Sequence, residues 1–406
     1  MRNWLSIAIL AGISLPAILL RVLGIELNTY VEVATFGVSI LAAAFLLTWA
    51  SEVAETEMSA TLALAVLAII AVLPEYAVDL YFSWTAHTNP DNAHFAIANM
   101  TGANRLLVGF AWPMIFLIFW LQTRKRTLAI DGTQNGLSII FLGVATVYSL
   151  SIPIRGHLSL VDTAVTFLIF GSYMYLMSRM PPREVEEFVG PAAAIKSLPT
   201  MWRRVAIAVI FLFAAGVIFC AAEPFADGLV HMGKQLGIEQ FVLVQWLAPL
   251  ASESPEFLLA GLLAARGRPG AGMTILLSSK VSQWTLLIGS IPAAYSISGA
   301  TLSPLHFDAR QAEEVYLTAG QSLFAVAIFV SLSMSVWEAA LLAGLFTSQL
   351  FFFSTTVRIG YGTVYLFIAL AVLFRDLPMM PVLWRTAKES VRDSGGVSRR
   401  VERPPP

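Results

Sequence analysis

The stretch Ala71-Val72-Leu73-Pro74-Glu75-Tyr76-Ala77-Val78-Asp79 sets a proline and two carboxylates inside an apolar helix, and a second version follows at Leu250-Ala251-Ser252-Glu253-Ser254-Pro255-Glu256. Each copy lies well inside a hydrophobic run long enough to cross a bilayer, where a charge costs roughly 3 kcal/mol or more unless it is paired or hydrated. A proline has no N–H to give, so the carbonyl four residues back loses its helical donor. Ile70 and Ala251 therefore each offer an oxygen beside a glutamate. A carboxylate next to a freed carbonyl is ligand chemistry for a hard cation.

Working outward, the composition fixes the class. The 406 residues are 57% hydrophobic and only 13% charged, with a mean hydropathy of +0.74, which describes a polytopic membrane protein rather than a soluble core. The single Cys220 excludes a disulfide framework and any cysteine metal cluster. Basic residues sit at loop ends with no aromatic-interleaved face, so nucleic acid is not a partner; the partners are the bilayer and small inorganic cations.

Apolar runs at 4–22, 33–52, 60–84, 94–121, 136–154 and 159–178 precede a polar break from Pro181 to Trp202, which reads as a loop with room for a short interfacial helix. Further runs follow at 203–223, 240–265, 271–296, 315–334, 336–353 and 361–376. The stretch Ala319 to Phe353 would be about 52 Å long as one helix, against a hydrocarbon thickness of about 30 Å, so it is split near Ser335. The polar tail from Arg385, ending in Pro404-Pro405-Pro406, is expected to be a disordered cytoplasmic end. Twelve spans put both termini on one side. Eighteen of the 25 Lys and Arg residues fall on that side and five on the other, which makes it the cytoplasmic face of the cell (inner) membrane.

Spans two to six and seven to eleven start from opposite sides and carry matching features in the same order, the signature of an inverted repeat. Ala50-Ser51-Glu52-Val53-Ala54-Glu55 matches Ala221-Ala222-Glu223-Pro224-Phe225-Ala226-Asp227, and the Pro-Glu motifs come next. The following span carries Ala98-Asn99-Met100-Thr101-Gly102-Ala103-Asn104-Arg105 in one half and Leu277-Ser278-Ser279-Lys280-Val281-Ser282-Gln283 in the other.

In these motifs the chain resembles the calcium/cation antiporter superfamily, which includes the sodium/calcium exchangers. Members have two inverted five-helix repeats, each with a Gly-Thr-Ser-Leu-Pro-Glu type motif followed by a helix bearing Gly-Asn-x-x-Gly-Ser-Asn. Leu73-Pro74-Glu75 and Ser254-Pro255-Glu256 carry the first motif here, and Asn99, Gly102 and Asn104 carry the second. Ser278, Ser282 and Gln283 match it more weakly. The resemblance implies an all-α fold in which residues 31–180 form a first exchanger repeat, 181–202 a cytoplasmic linker and 203–354 a second repeat. Extra helices would lie at 1–30 and 355–384, before the tail at 385–406. It also implies that Glu75 and Glu256 meet at the membrane centre and ligate the metal, with neighbouring hydroxyls and carbonyls binding sodium, and that no cofactor is needed.

The departures bear on the counter-ion. Where the family places Thr-Ser, this chain has Ala71-Val72 in the first half and Ser252-Glu253 in the second. Two cationic side chains, Arg105 and Lys280, stand in the helices expected to line the site. The cation-binding set is thus Glu75, Glu256, Asp79, Glu253, Asn99, Asn104, Ser252, Ser278, Ser282 and Gln283, with Lys280 and Arg105 as a tethered cation or a salt bridge. A purely structural reading is also open for each: helix pairing for the glutamates, local ion pairs for Asp79 and Glu253, interhelical hydrogen bonds for the amides and serines. Glu52, Glu55, Glu223 and Asp227 read as interfacial carboxylates, and His87, His94, His157, His231 and His306 as exposed loop histidines. The expected function is secondary antiport of Ca2+ against sodium or protons. A monovalent cation/proton antiporter and a non-transporting protein of the same fold are the alternatives, and no His-Glu-x-x-His, Gly-x-Ser-x-Gly or phosphate-handling motif supports an enzyme.

Overall fold

The structure is a computed structural model, which describes residues 2–25, 27–54, 73–180, 188, 190–352 and 354–401. The regular elements among the described residues are helices apart from two short ladders, and the chain divides into two compact units. Eight helices among the described residues are long and apolar enough to cross a membrane on their own. Of the expected runs, those at 60–84, 240–265, 271–296 and 336–353 fall outside that set. The first is described only from Leu73, and residues 55–72, with Glu55, Ile70, Ala71 and Val72, lie outside the described residues. The next two carry the polar motifs, whose side chains lower the apolarity of the segments that hold them.

The first unit comprises Met1–Ala103, Arg183–Pro255 and Ile297–Gly299. Its helices are α1 (Arg2–Leu23), α2 (Thr29–Ala54), α3 (Leu73–Thr85) and the start of α4 (Asp91–Leu106). The second half of the chain is reached through later elements. These are numbered in order: α5 (Trp112–Thr123), β1 (Thr127–Ala129), α6 (Gly132–Ser149), α7 (Ser151–Arg155), β2 (His157–Leu158), α8 (Leu160–Met177) and α9 (Pro191–Lys196). Of these, α9 belongs to the first unit, as do α10 (Thr200–Leu236) and most of α11 (Gln240–Ala265). Small residues let α2 and α10 touch: a Cβ on Gly37 would stand 2.8 Å from the Phe225 ring, and one on Gly228 2.7 Å from Val33. Arg21 of α1 pairs with Glu223 of α10, and the Tyr81 hydroxyl of α3 donates to Asp227 at 2.7 Å.

Two expectations are corrected. The seventh span, read as 203–223, continues as α10 to Leu236, with Pro224 inside it. One proline removes one N–H, leaving only the Cys220 carbonyl without its helical donor, and good helix formers on both sides carry the helix through. Glu223 and Asp227 therefore lie inside a continuous helix and not at its end. The tail is the second correction, since the chain is helical from Met380 to Val401. Composition pointed to disorder, but Leu383, Ala387 and Ser390 form a buried stripe at helical spacing. That stripe packs on α6, where a Cβ on Gly136 would stand 3.1 Å from the Ala387 methyl. Residues 402–406 lie outside the described residues.

The second unit comprises Asn104–Pro182, Glu256–Ser296 and Ala300–Pro406. It adds α12 (Pro269–Ser282), α13 (Ile288–Ser298), β3 (Leu305–His306), α14 (Ala309–Val330), β4 (Ser333–Ser335), α15 (Val336–Gln349), α16 (Thr355–Asp376) and α17 (Met380–Val401). Its centre is α14, which is almost entirely buried. Gly320 and Gly362 let α14 and α16 cross with a would-be Cβ only 2.8 Å from a carbonyl oxygen.

The duplication is visible in the caps. Asp162 accepts from the N–H of Ser159 at 2.8 Å and Glu338 from that of Ser335 at 2.7 Å, so α8 and α15 begin with the same reciprocal box. Asp131 and Asp308 likewise cap α6 and α14. The ladders are exchanged to match, β1 with β4 and β2 with β3, both antiparallel. The cap at Ser335 also accounts for the break that helix length alone requires there.

Candidate cation site

In the first unit the site begins on α3, where Pro74 stands in the first described turn. Glu75 and Asp79 follow it one turn apart on one face, both buried. On α4, Asn99 Nδ2 donates to Asp79 Oδ1 at 3.0 Å. Among the described residues, Asp79 Oδ2 and Asn99 Oδ1 are buried with no hydrogen-bond partner, so the pair keeps acceptor oxygens for a ligand.

Three residues on, α4 meets α11. A Cβ on Gly102 would lie 1.8 Å from the Gln245 carbonyl oxygen, so the two backbones touch and only glycine fits. That carbonyl is unclaimed within its helix because Pro249, four residues later, has no N–H. Gln245 also donates to the Thr101 hydroxyl at 3.5 Å, and among the described residues its buried side-chain oxygen has no donor. Sequence reasoning passed over Gln245 and Thr101; Pro249, six residues before Pro255, was the available signal. Farther along α11, Ser252 gives its hydroxyl proton back to the carbonyls of Ala248 and Pro249, each at 3.3 Å. Its lone pairs remain for a cation, and Glu253 beside it is buried.

In the second unit, Glu256 is half-buried and Asn104 and Lys280 are fully buried. Lys280 Nζ donates to Asn104 Oδ1 at 2.6 Å and lies 3.4 Å from the Asn104 carbonyl oxygen. It also stands 4.4 Å from the centroid of the Trp284 ring, in cation–π geometry. Among the described residues, Ser278 Oγ, Ser282 Oγ and Gln283 Oε1 are buried without hydrogen-bond partners, while Gln283 Nε2 donates to Ser279 at 3.4 Å.

Directly after each Asn/Ser-rich stretch the helix widens into a π turn, at Leu107–Ala111 and at Gln283–Leu287. The second π turn follows the first at nearly the spacing that separates the paired caps, so the bulge is part of the repeat. A π turn gives up α-type hydrogen bonds and recurs at functional sites. At the first of them Gln321 of α14 donates to the Arg105 carbonyl at 3.4 Å.

Arg105 is joined to other charges. Its Nη2 stands 2.6 Å from Glu314 Oε2 on α14, and Glu314 also pairs with Arg358 of α16. Arg310 Nη1 lies 3.1 Å from Glu313 and Arg358 Nε 3.5 Å from the same carboxylate. Among the described residues, three guanidiniums and two carboxylates thus make a cluster, buried except at Arg310, in which Arg105 directly follows Asn104 in sequence. Sequence reading did not single out Glu313 or Glu314, which stand just before the apolar run at 315–334.

Among the described residues no group of three or more His, Cys, Asp and Glu side chains is gathered at metal-holding distance. The donor set is otherwise carboxylate, amide and hydroxyl oxygen, the chemistry of a hard cation carried as cargo.

Comparison with known proteins bears on this arrangement. Residues 28–179 and 206–355 match the sodium/calcium exchanger protein family. The crystal structure of the H+/Ca2+ exchanger CAX is 40% identical in sequence, covers 96% of this chain and 99% of its own, and superposes with a TM-score of 0.92. Native YfkE has the same fold at 15% identity, covering 89% of this chain and 100% of its own with a TM-score of 0.61. The sodium-calcium exchanger NCX_Mj does so at 18% identity over 80% of this chain and 99% of its own, with a TM-score of 0.53. No curated protein sequence matches.

Proposed function

The chain belongs to the sodium/calcium exchanger protein family, and from that premise we propose that it is a secondary antiporter that moves Ca2+ across the membrane in exchange for protons. Glu75 and Glu256 carry the cation, and Asp79, Glu253, Asn99 and Ser252 supply further oxygens. Protons take the same carboxylate oxygens on the opposite stroke, so each face of the membrane sees either a calcium-loaded or a protonated protein. The inner membrane is its place, with both termini in the cytoplasm, as the Lys and Arg distribution supports.

The observation that carries the choice of protons over sodium is the Lys280 ammonium on Asn104 Oδ1. An amide oxygen already accepting from a fixed cation is withdrawn from the coordination of a mobile one. The lysine contributes a positive charge that never leaves, where a sodium-coupled relative would carry an ion. The missing hydroxyls at Ala71 and Val72 remove further sodium ligands from the sequence. Calcium-45 uptake into proteoliposomes tests the reading. Uptake is expected with an acidic lumen and no sodium on either side; uptake that requires lumenal sodium and ignores the pH gradient would refute it.

A further inference from the structure

An apolar groove of about 660 Å³ runs along the second unit between α6, α14 and α17, lined by residues including Ile140, Val144, Val147, Val326 and Trp384. Its volume is in the range of ligand pockets, and its wall is hydrocarbon almost throughout. The cation pathway makes no use of it. Val144 and Val147 lie on its open side, 50% and 64% exposed, so the groove is accessible along a membrane-spanning helix.

The end of the groove at α17 has the opposite character. Arg385 follows Trp384 directly, and Lys388 lies one turn from Trp384 on the same helix face; both cations are exposed. The turn that leads into β1 adds exposed Arg124, Lys125 and Arg126. That turn and α17 share one end of the unit, since a Cβ on Gly132 would meet both Leu332 and Thr386, and Leu332 accepts from Ile130 N–H at 2.9 Å. Against five cations stand the exposed acids Asp131, whose carboxylate is engaged in capping α6, and Glu389. Trp384, with an apolar ring and a polar N–H, is the residue type that settles at the headgroup level.

We propose that this groove is a binding site for an anionic phospholipid, with an acyl chain along Val144, Val147 and Val326 and the headgroup phosphate held by Arg385 and Lys388. Helix α17 serves as the seat of the headgroup, docked through Ala387 at Gly136. Basic residues just beyond a membrane span on an amphipathic helix select anionic over zwitterionic lipid, and here the groove gives that selection a fixed address.

The test is native mass spectrometry of the full chain in detergent, titrated with phosphatidylglycerol or phosphatidylcholine. The parent protein is expected to retain phosphatidylglycerol at least tenfold better. Val144→Trp, or Val147→Trp if the first variant does not purify as a folded protein, fills the groove from its exposed side and is expected to lose both lipids. The Arg385→Gln/Lys388→Gln pair is expected to bind lipid but to lose the preference. Ile154→Trp, on exposed surface outside the groove, is expected to behave as the parent. Equal retention of the two lipids by the parent, or unaltered retention in both Trp variants, would overturn the assignment.

Discussion

The Lys280 ammonium and the Asn104 side-chain oxygen are 2.6 Å apart, fully enclosed, with the Trp284 ring centroid 4.4 Å from the same ammonium. A buried ammonium stays charged only where fixed dipoles or carboxylates replace its water, and the amide with the aromatic face does part of that here. The contact ties the helix after one Pro-Glu motif to the helix after the other.

Lys280→Met should therefore change the counter-ion and not only the rate. The ammonium no longer occupies the Asn104 side-chain oxygen, and sodium is expected to compete with calcium in the variant though it does not in the parent. Calcium flux measured against rising sodium at fixed pH reads this directly. An identical, flat sodium response in both proteins would remove the tethered-cation role.

Asp79→Asn and Glu75→Gln keep volume and remove a charge. Each should cut calcium flux by more than tenfold, about 1.4 kcal/mol in the binding or barrier, with purification yield unchanged. Glu52→Gln, on a half-buried residue at the end of α2, should cost little. Parent-like flux in Asp79→Asn would return the Asp79–Asn99 pair to a structural role.

Gly102→Ala places a methyl against the Gln245 carbonyl. Backbone meets backbone, so neither helix can yield by a rotamer change, and overpacking of this kind costs about 1–3 kcal/mol. A lowered melting temperature and impaired transport are expected together. Gly216→Ala, with nothing near its would-be Cβ, should leave both unchanged or raise the melting temperature slightly.

The Arg105, Arg310, Arg358, Glu313 and Glu314 cluster gives an asymmetric prediction. Arg105→Gln removes one of the cations around Glu314, whereas Glu314→Gln removes the carboxylate that both Arg105 and Arg358 pair with. Uncompensated buried charge costs about 3–5 kcal/mol, so Glu314→Gln should lose most of its folded protein and Arg105→Gln distinctly less. Thermal melts and monodisperse yield decide it, and equal losses would contradict the charge bookkeeping.

What the sequence made legible follows from which forces are local. The apolar class of the chain, the Pro-Glu motifs and the break before α15 rest on hydropathy, proline chemistry and helix rise, and all act within one segment. The Arg105–Glu314 contact joins residues far apart in sequence, and nothing near Glu314 marks it as buried. The π turns at Leu107 and Gln283 carry no composition signal because they depend on what the next helix offers the released carbonyls. Pro249 was readable, but its consequence needed Gly102 to be seen against Gln245. In the tail, composition outweighed a three-residue apolar stripe that has meaning only once Gly136 is known to face it.

The central claim is coupling of calcium to protons on the carboxylates, and one measurement tests it most directly. Calcium-45 uptake and lumenal pH are followed together in sodium-free proteoliposomes loaded at acidic pH. Calcium entry accompanied by lumenal alkalinisation, both abolished in Glu75→Gln and in Glu256→Gln, is the predicted result. Calcium entry with no change in lumenal pH, or proton movement that persists in both glutamine variants, would contradict it.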